Sequence, residues 1–224
     1  MKELRTVSHA QMIRLGGVPL AASVFLLALF PLVRPFGDRS GNSVEIAQTF
    51  ASTPWIAAHI MGTLGFVLLP IGLFFLYMYL RGTQAERHAL RGLVLCWIGV
   101  GLFLPIFGTE AFAMRAIGNE ALNQNDLSLL ALSNSIRSGP QIILLVSSLT
   151  LLAIGAIMIA IAVWKSGSLP KWSGIPFAIG LALFLPLFPQ DIRIIDGLLI
   201  GSGGVWLAVN IMLNRRTIVE AGTR

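Results

Sequence analysis

Residues 55–80 read WIAAHIMGTLGFVLLPIGLFFLYMYL, a run without a single Lys, Arg, Asp or Glu. As a helix rising 1.5 Å per residue it reaches about 39 Å, more than the roughly 30 Å of a bilayer's hydrocarbon core. In lipid, backbone N–H and C=O groups must be bonded within the segment or across a closed barrel. The run is over twice the length of a barrel strand and lacks its strict alternation, so it reads as a transmembrane helix. The whole chain shares this character: 224 residues, 55% hydrophobic and 12% charged, with a mean hydropathy of +0.80. A soluble domain carries roughly twice that share of charge.

Working outward, the sequence predicts six spans, at 15–33, 55–80, 90–108, 141–164, 172–189 and 195–213. Pro176, Pro186 and Pro189 blur the ends of the fifth. The expected fold is all-α: a six-helix transmembrane bundle forming one integral membrane domain over residues 1–224. Lys2, Arg5, Arg14, Arg81, Arg87, Arg91, Lys165, Lys171, Arg215, Arg216 and Arg224 fall on one side. Arg34, Arg39, Arg115, Arg137 and Arg193 fall on the other. The basic excess marks the cytoplasmic face, which places both termini inside. The basic N-terminus followed by an apolar run resembles a secretory signal, but PLVRPFGDR follows it instead of a small-residue cleavage site, so a retained first helix is expected.

On the inner side, VWKSGSLPKWSG reads as a tight hairpin punctuated by Gly167 and Pro170. The outer loops are longer and form an extracytoplasmic cap. SVEIAQTF is expected as a short helix ended by Thr53-Pro54. DLSLLALSNSIRSGP is expected as a short amphipathic helix, with Asp126 as N-cap and Leu127, Leu130 and Ile136 on one face. It reads either as a helix lying on the membrane surface or as a lid over an outward-facing cavity.

The odd spans end alike, in LALFPLVRPFGD, VGLFLPIFGTE and LALFLPLFPQD. Each places a proline (Pro31, Pro105, Pro186) before a carboxylate (Asp38, Glu110, Asp191), which suggests three hairpins in a parallel repeat. Proline removes a helical hydrogen bond and crowds the preceding turn, so the phrase reads mainly as a helix-ending device.

Ionisable groups at membrane depth invite a functional hypothesis, and His59 is the histidine that lies within a span. Thr63 shares its stripe four residues on. Glu110 is placed to orient the imidazole if the third helix continues past Gly108; Asp191 is the matching acid, and Arg193 is available to neutralise either. Asp196 before Gly197 reads as the N-cap of the sixth span. Its small residues (Gly197, Gly201, Gly204, Ala208) favour close helix packing. Cys96 is the one cysteine and forms no intrachain disulfide.

No cofactor and no metal are expected: a bis-histidine haem needs a second membrane histidine, and no H-E-x-x-H supports zinc. P-loop, Rossmann and Gly-x-Ser-x-Gly signatures are missing, and no basic aromatic face suggests nucleic acid. The segments VWKSGSLPKWSGIPFAIGLALFLPLFP, GGVWLAVNIML and FGTEAFAMRAIG resemble those of a broad group of small polytopic bacterial inner-membrane proteins. The resemblance implies a bacterial inner membrane, and neither an activity nor a site residue.

The leading expectation is a non-enzymatic protein that binds or transports a small amphipathic or lipid-like ligand through an outward-facing pocket. Its polar end would be His59, Thr63, Glu110, Asp191 and Arg193, and its partners membrane lipids. Two alternatives stand beside it. One is an intramembrane lipid-modifying enzyme using His59 as base with a carboxylate. The other is a sensor, immunity or accessory subunit, acting as a homo-oligomer or with a partner membrane subunit through its helix faces.

Overall fold

The computed structural model describes residues 15–36, 41–184 and 188–213. These residues are helical throughout, with no strand among them. The helices are α1 (Gly17–Val33), α2 (Val44–Ala51), α3 (Thr53–Leu80), α4 (Glu86–Asn123), α5 (Ala131–Ile136), α6 (Pro140–Ser166), α7 (Gly174–Leu183) and α8 (Gln190–Leu213). Short 3-10 turns, Leu127–Leu130 and Lys171–Ser173, precede α5 and α7. Four helices, α3, α4, α6 and α8, are long and apolar enough to cross a membrane. The first and fifth sequence spans correspond to α1, of 17 residues, and α7, of 10.

The six apolar helices pack in a ring, α1–α3–α4–α6–α7–α8, closed by α8 against α1. Neighbours run antiparallel and approach closely where side chains are smallest. A Cβ on Gly155 would stand 2.6 Å from Cys96 Sγ, and one on Gly203 only 2.3 Å from the Phe177 main-chain nitrogen. Lipid offers helices no hydrophobic driving force to associate, so close packing and interhelical hydrogen bonds carry the contact. Ser23 adds one such bond between α1 and α3, donating to the Gly65 carbonyl at 2.8 Å. Inside the ring, Phe30, Phe66, Phe103, Phe107 and Phe184 pack edge-on and tilted, with centroids 4.9–6.0 Å apart.

A second, smaller core caps one end. Ile46, Ala47 and Phe50 of α2 meet Trp55, Met114, Ala121 and Leu130. Serines set its joints: Ser43 Oγ accepts the Ile46 N–H to cap α2, and Ser52 Oγ accepts the Trp55 N–H to cap α3. Asp126 caps the turn at Leu127 as its sequence position predicts, and Leu127, Leu130 and Ile136 face this core together. At the opposite end Gly167, in the left-handed region at φ 63°, terminates α6 before the Pro170 turn.

Several sequence expectations are corrected. Helix α4 does not stop near residue 108 but runs to Asn123, so the first half of the long loop is helix. Its 38 residues extend about 57 Å, well beyond a bilayer core. The extension pays for itself in contacts, because Ala111, Met114, Gly118 and Ala121 are all buried, Met114 and Ala121 in the cap core. Thr53-Pro54 does not close α2; it forms the first turn of α3, where proline's missing N–H costs nothing. Helix α8 begins at Gln190, not near 195, which places Asp196 inside the helix and rules it out as an N-cap.

The repeated proline phrase resolves differently at the two copies whose proline is described. The helix ends shortly after Pro31, yet continues unbroken past Pro105 to Asn123. Thr109 Oγ1 donates to the Pro105 carbonyl at 2.9 Å, a local hydrogen bond on the far side of the proline. Pro186 and Asp38 lie outside the described residues. The phrase is therefore not a general helix-ending device.

Candidate functional site

The candidate residues gather where the ring meets the cap. Ser52 starts α3 so that Trp55 falls in its first turn, fully buried. The indole Nε1 donates to the main-chain oxygen of Glu110 at 2.8 Å. One turn on, His59 is 2% exposed and its Nδ1 lies 2.7 Å from the Trp55 carbonyl oxygen. A carbonyl only accepts, so this contact selects the tautomer protonated at Nδ1. Rings surround the imidazole: Trp55 at 4.5 Å, Phe107 at 5.0 Å and Phe30 at 5.5 Å between centroids.

Arginines line the same aromatic box. Arg34, which caps α1, is buried with its guanidinium 4.7 Å from the centre of a Trp55 ring and 5.5 Å from that of Phe36. Arg193, also buried, lies 5.8 Å from the centre of Phe30 and 5.2 Å from that of Phe36. Such stacking suits the planar, weakly hydrated guanidinium. One turn beyond Arg193 on α8, Asp196 is 1% exposed, its Oδ1 has no hydrogen-bond partner, and the Arg193 charge acts on it. A buried polar atom without a partner costs about 1–3 kcal/mol, so a native fold retains one for a reason.

The predicted residues thus have different fates. His59 and Arg193 both contact Phe30 and share one site. Thr63 turns back to its own helix, donating to the His59 carbonyl at 2.8 Å. Glu110 reaches the site through its backbone, while its carboxylate belongs to Arg137: Nε donates to Oε1 at 2.8 Å and Nη2 to Oε2 at 2.6 Å. Asp191 is exposed in the first turn of α8, where a negative charge complements the helix dipole. Arg193 is directed to the Phe30 and Phe36 faces, and its charge acts on Asp196 one turn along α8.

Sequence reasoning gave no site role to Trp55, Arg34, Arg137 or Asp196. The i, i+3 spacing of Arg193 and Asp196 and the i, i+4 spacing of Trp55 and His59 were the legible signals. Away from the spans, the Ser128 hydroxyl at 2.6 Å and main-chain N–H at 3.0 Å hold the Asp126 carboxyl below the usual carboxylate range. Among the described residues no three His, Cys, Asp or Glu side chains converge as a metal site.

Chemically, the arrangement offers a hydrogen-bond acceptor at Asp196 Oδ1, guanidinium donors and aromatic walls, all enclosed. These are means of holding a polar head beside an apolar body. Comparison of the chain with protein-family models, with curated proteins and with solved structures returned no match.

Proposed function

We propose that the protein binds or moves a small amphipathic, lipid-like ligand through a site at the capped end of a six-span bacterial inner-membrane bundle. In this reading the cap is extracytoplasmic and both termini are cytoplasmic, which the distribution of Lys and Arg favours. The ligand's polar head occupies the box formed by His59, Arg34, Arg193 and Asp196, and its apolar part lies along the phenylalanine-lined interior. The observation carrying the proposal is the enclosed Asp196 Oδ1, which accepts no hydrogen bond although the Arg193 charge acts on the residue from one turn away. Sites for small amphiphiles are mostly apolar with a few convergent polar groups, and that is the composition of this end.

Neither alternative draws comparable support. A His59-based enzyme needs a carboxylate to orient the base, but the Glu110 carboxylate is held in a fork by Arg137 and the His59 Nδ1 is taken by the Trp55 carbonyl. An accessory subunit acting through its glycine faces would leave them outward. Gly197, Gly201 and Gly204 instead meet Pro31, Ala28 and Val24 within the same chain.

The test is mass spectrometry of amphiphiles that co-purify with the protein, set against the bulk lipid of the same membranes. Enrichment of one class in wild type, lost in Arg193→Gln and in Asp196→Asn, is the expected result. A bound set identical to bulk lipid in all three proteins would defeat the proposal.

A further inference from the structure

We infer that residues 124–139 form a latched lid over the Trp55–His59 end of the bundle, with the Arg137–Glu110 ion pair as the latch. The inference rests on the proposed function only in supposing that what the lid covers is the ligand's site.

The segment is built to move as a unit. Left-handed residues bound it, Asn125 at φ 53° and Gly139 at φ 64°, so helical hydrogen bonding is interrupted where it leaves α4 and again where it enters α6. Between those joints it holds the body by few apolar contacts. Leu130 is fully buried, while Leu127, Leu129 and Ile136 are partly buried against the cap core. Elements that open locally share this profile of modest burial between stable neighbours.

The latch is strong in geometry and reachable by water. Arg137 grips both carboxylate oxygens of Glu110 and lies 5.2 Å from the centre of the Phe50 ring. The two side chains keep 27% and 17% of their exposure, so solvent can compete for each partner. Beneath the lid, Trp55 packs in the same core as Leu130, and its other side meets His59. Glu110 joins the layers: its carboxylate holds the lid through Arg137, and its carbonyl holds the Trp55 indole. Release of Arg137 therefore loosens the Leu130 side of the core around Trp55, while Phe50 and Arg34 still cover the other faces of the indole.

The experiment is hydrogen–deuterium exchange and hydroxyl-radical footprinting of the full chain in nanodiscs, with no ligand added. In Glu110→Gln, exchange of residues 127–136 is expected to rise about tenfold, the scale of one lost charge-assisted pair. Trp55 oxidation should rise with it, while residues 64–80 stay protected. Arg137→Lys, which keeps the charge but loses the fork, should fall between. If Glu110→Gln also deprotects residues 64–80, Arg137→Lys alone decides. Unchanged exchange of the segment would overturn the inference, and so would faster exchange with Trp55 still protected, since the segment would then be a strut. No readout involves a ligand, so failure of the latch and failure of the ligand proposal are separate results.

Discussion

The main-chain oxygen of Trp55 receives the Nδ1–H of His59 at 2.7 Å, and the two rings pack 4.5 Å apart between centroids. The same tryptophan donates its indole N–H to the carbonyl of Glu110, so α3 and α4 are joined beside the imidazole. Trp55→Phe keeps a ring and deletes that donor. The expected loss is about 1 kcal/mol, the net value of one such hydrogen bond. Trp55→Ala also opens a cavity and should cost about 3–5 kcal/mol. Thermal unfolding of the purified variants checks both values and their order.

Asp196 separates a structural from a functional role. Asp196→Asn preserves shape, removes the charge and supplies a donor. Stability is expected to fall by about 1–3 kcal/mol with the fold retained, because the charge it removes lies one turn from the buried Arg193 guanidinium. Retention of the co-purifying amphiphile should disappear. A variant that unfolds while keeping its amphiphile would make the residue structural.

Gly118 sets the distance between α2 and the α4 extension. A Cβ there would fall 2.7 Å from the Ala47 carbonyl oxygen and 2.7 Å from Phe50 Cβ. Gly118→Ala forces α2 outward, at a cost in the overpacking range of about 1–3 kcal/mol. Limited proteolysis should cut near residues 41–52 faster than in wild type, with the transmembrane helices intact. An unchanged digestion pattern would show that the cap absorbs the methyl group.

Asp126 supplies a pH dependence whose sign follows from its bonds. The Ser128 hydroxyl and then the Ser128 amide hold its folded pKa below the ordinary value. Its contribution is therefore complete above the unfolded pKa of about 3.9 and is lost as pH falls through the lower folded value. A carboxyl-carbon NMR titration should give a midpoint below about 3.9, returning toward that value in Ser128→Ala. Equal midpoints in the two proteins would remove the cap's acid sensitivity at this residue.

The sequence alone determined the helical class seen throughout the described residues, including helices long and apolar enough to cross a membrane. Backbone satisfaction in lipid leaves few options for uncharged runs of such length, and that constraint is local. It determined the Asp126 cap and the Gly167 turn for the same reason, since each depends on neighbours a few residues away. It also singled out His59 as a costly polar group within an apolar span, and Arg193 as a charge available to Glu110 or Asp191. The tertiary structure alone decided what those groups meet. Glu110 lies in a phrase nearly copied at Asp191, yet one carboxylate is gripped by Arg137 and the other is exposed. Pro189 marks the helix start at Asp191, but nothing beside Glu110 points to Arg137, twenty-seven residues on. Likewise, Pro105 suggests a helix end by propensity, but apolar contacts with α2 and Leu130 make the residues of α4 from 109 to 123 worth ordering. Asp196 looked like a cap until α8 was found to start a turn and a half earlier, enclosing its oxygen. Such outcomes depend on partners far along the chain, and the local pattern of residues carries no record of them.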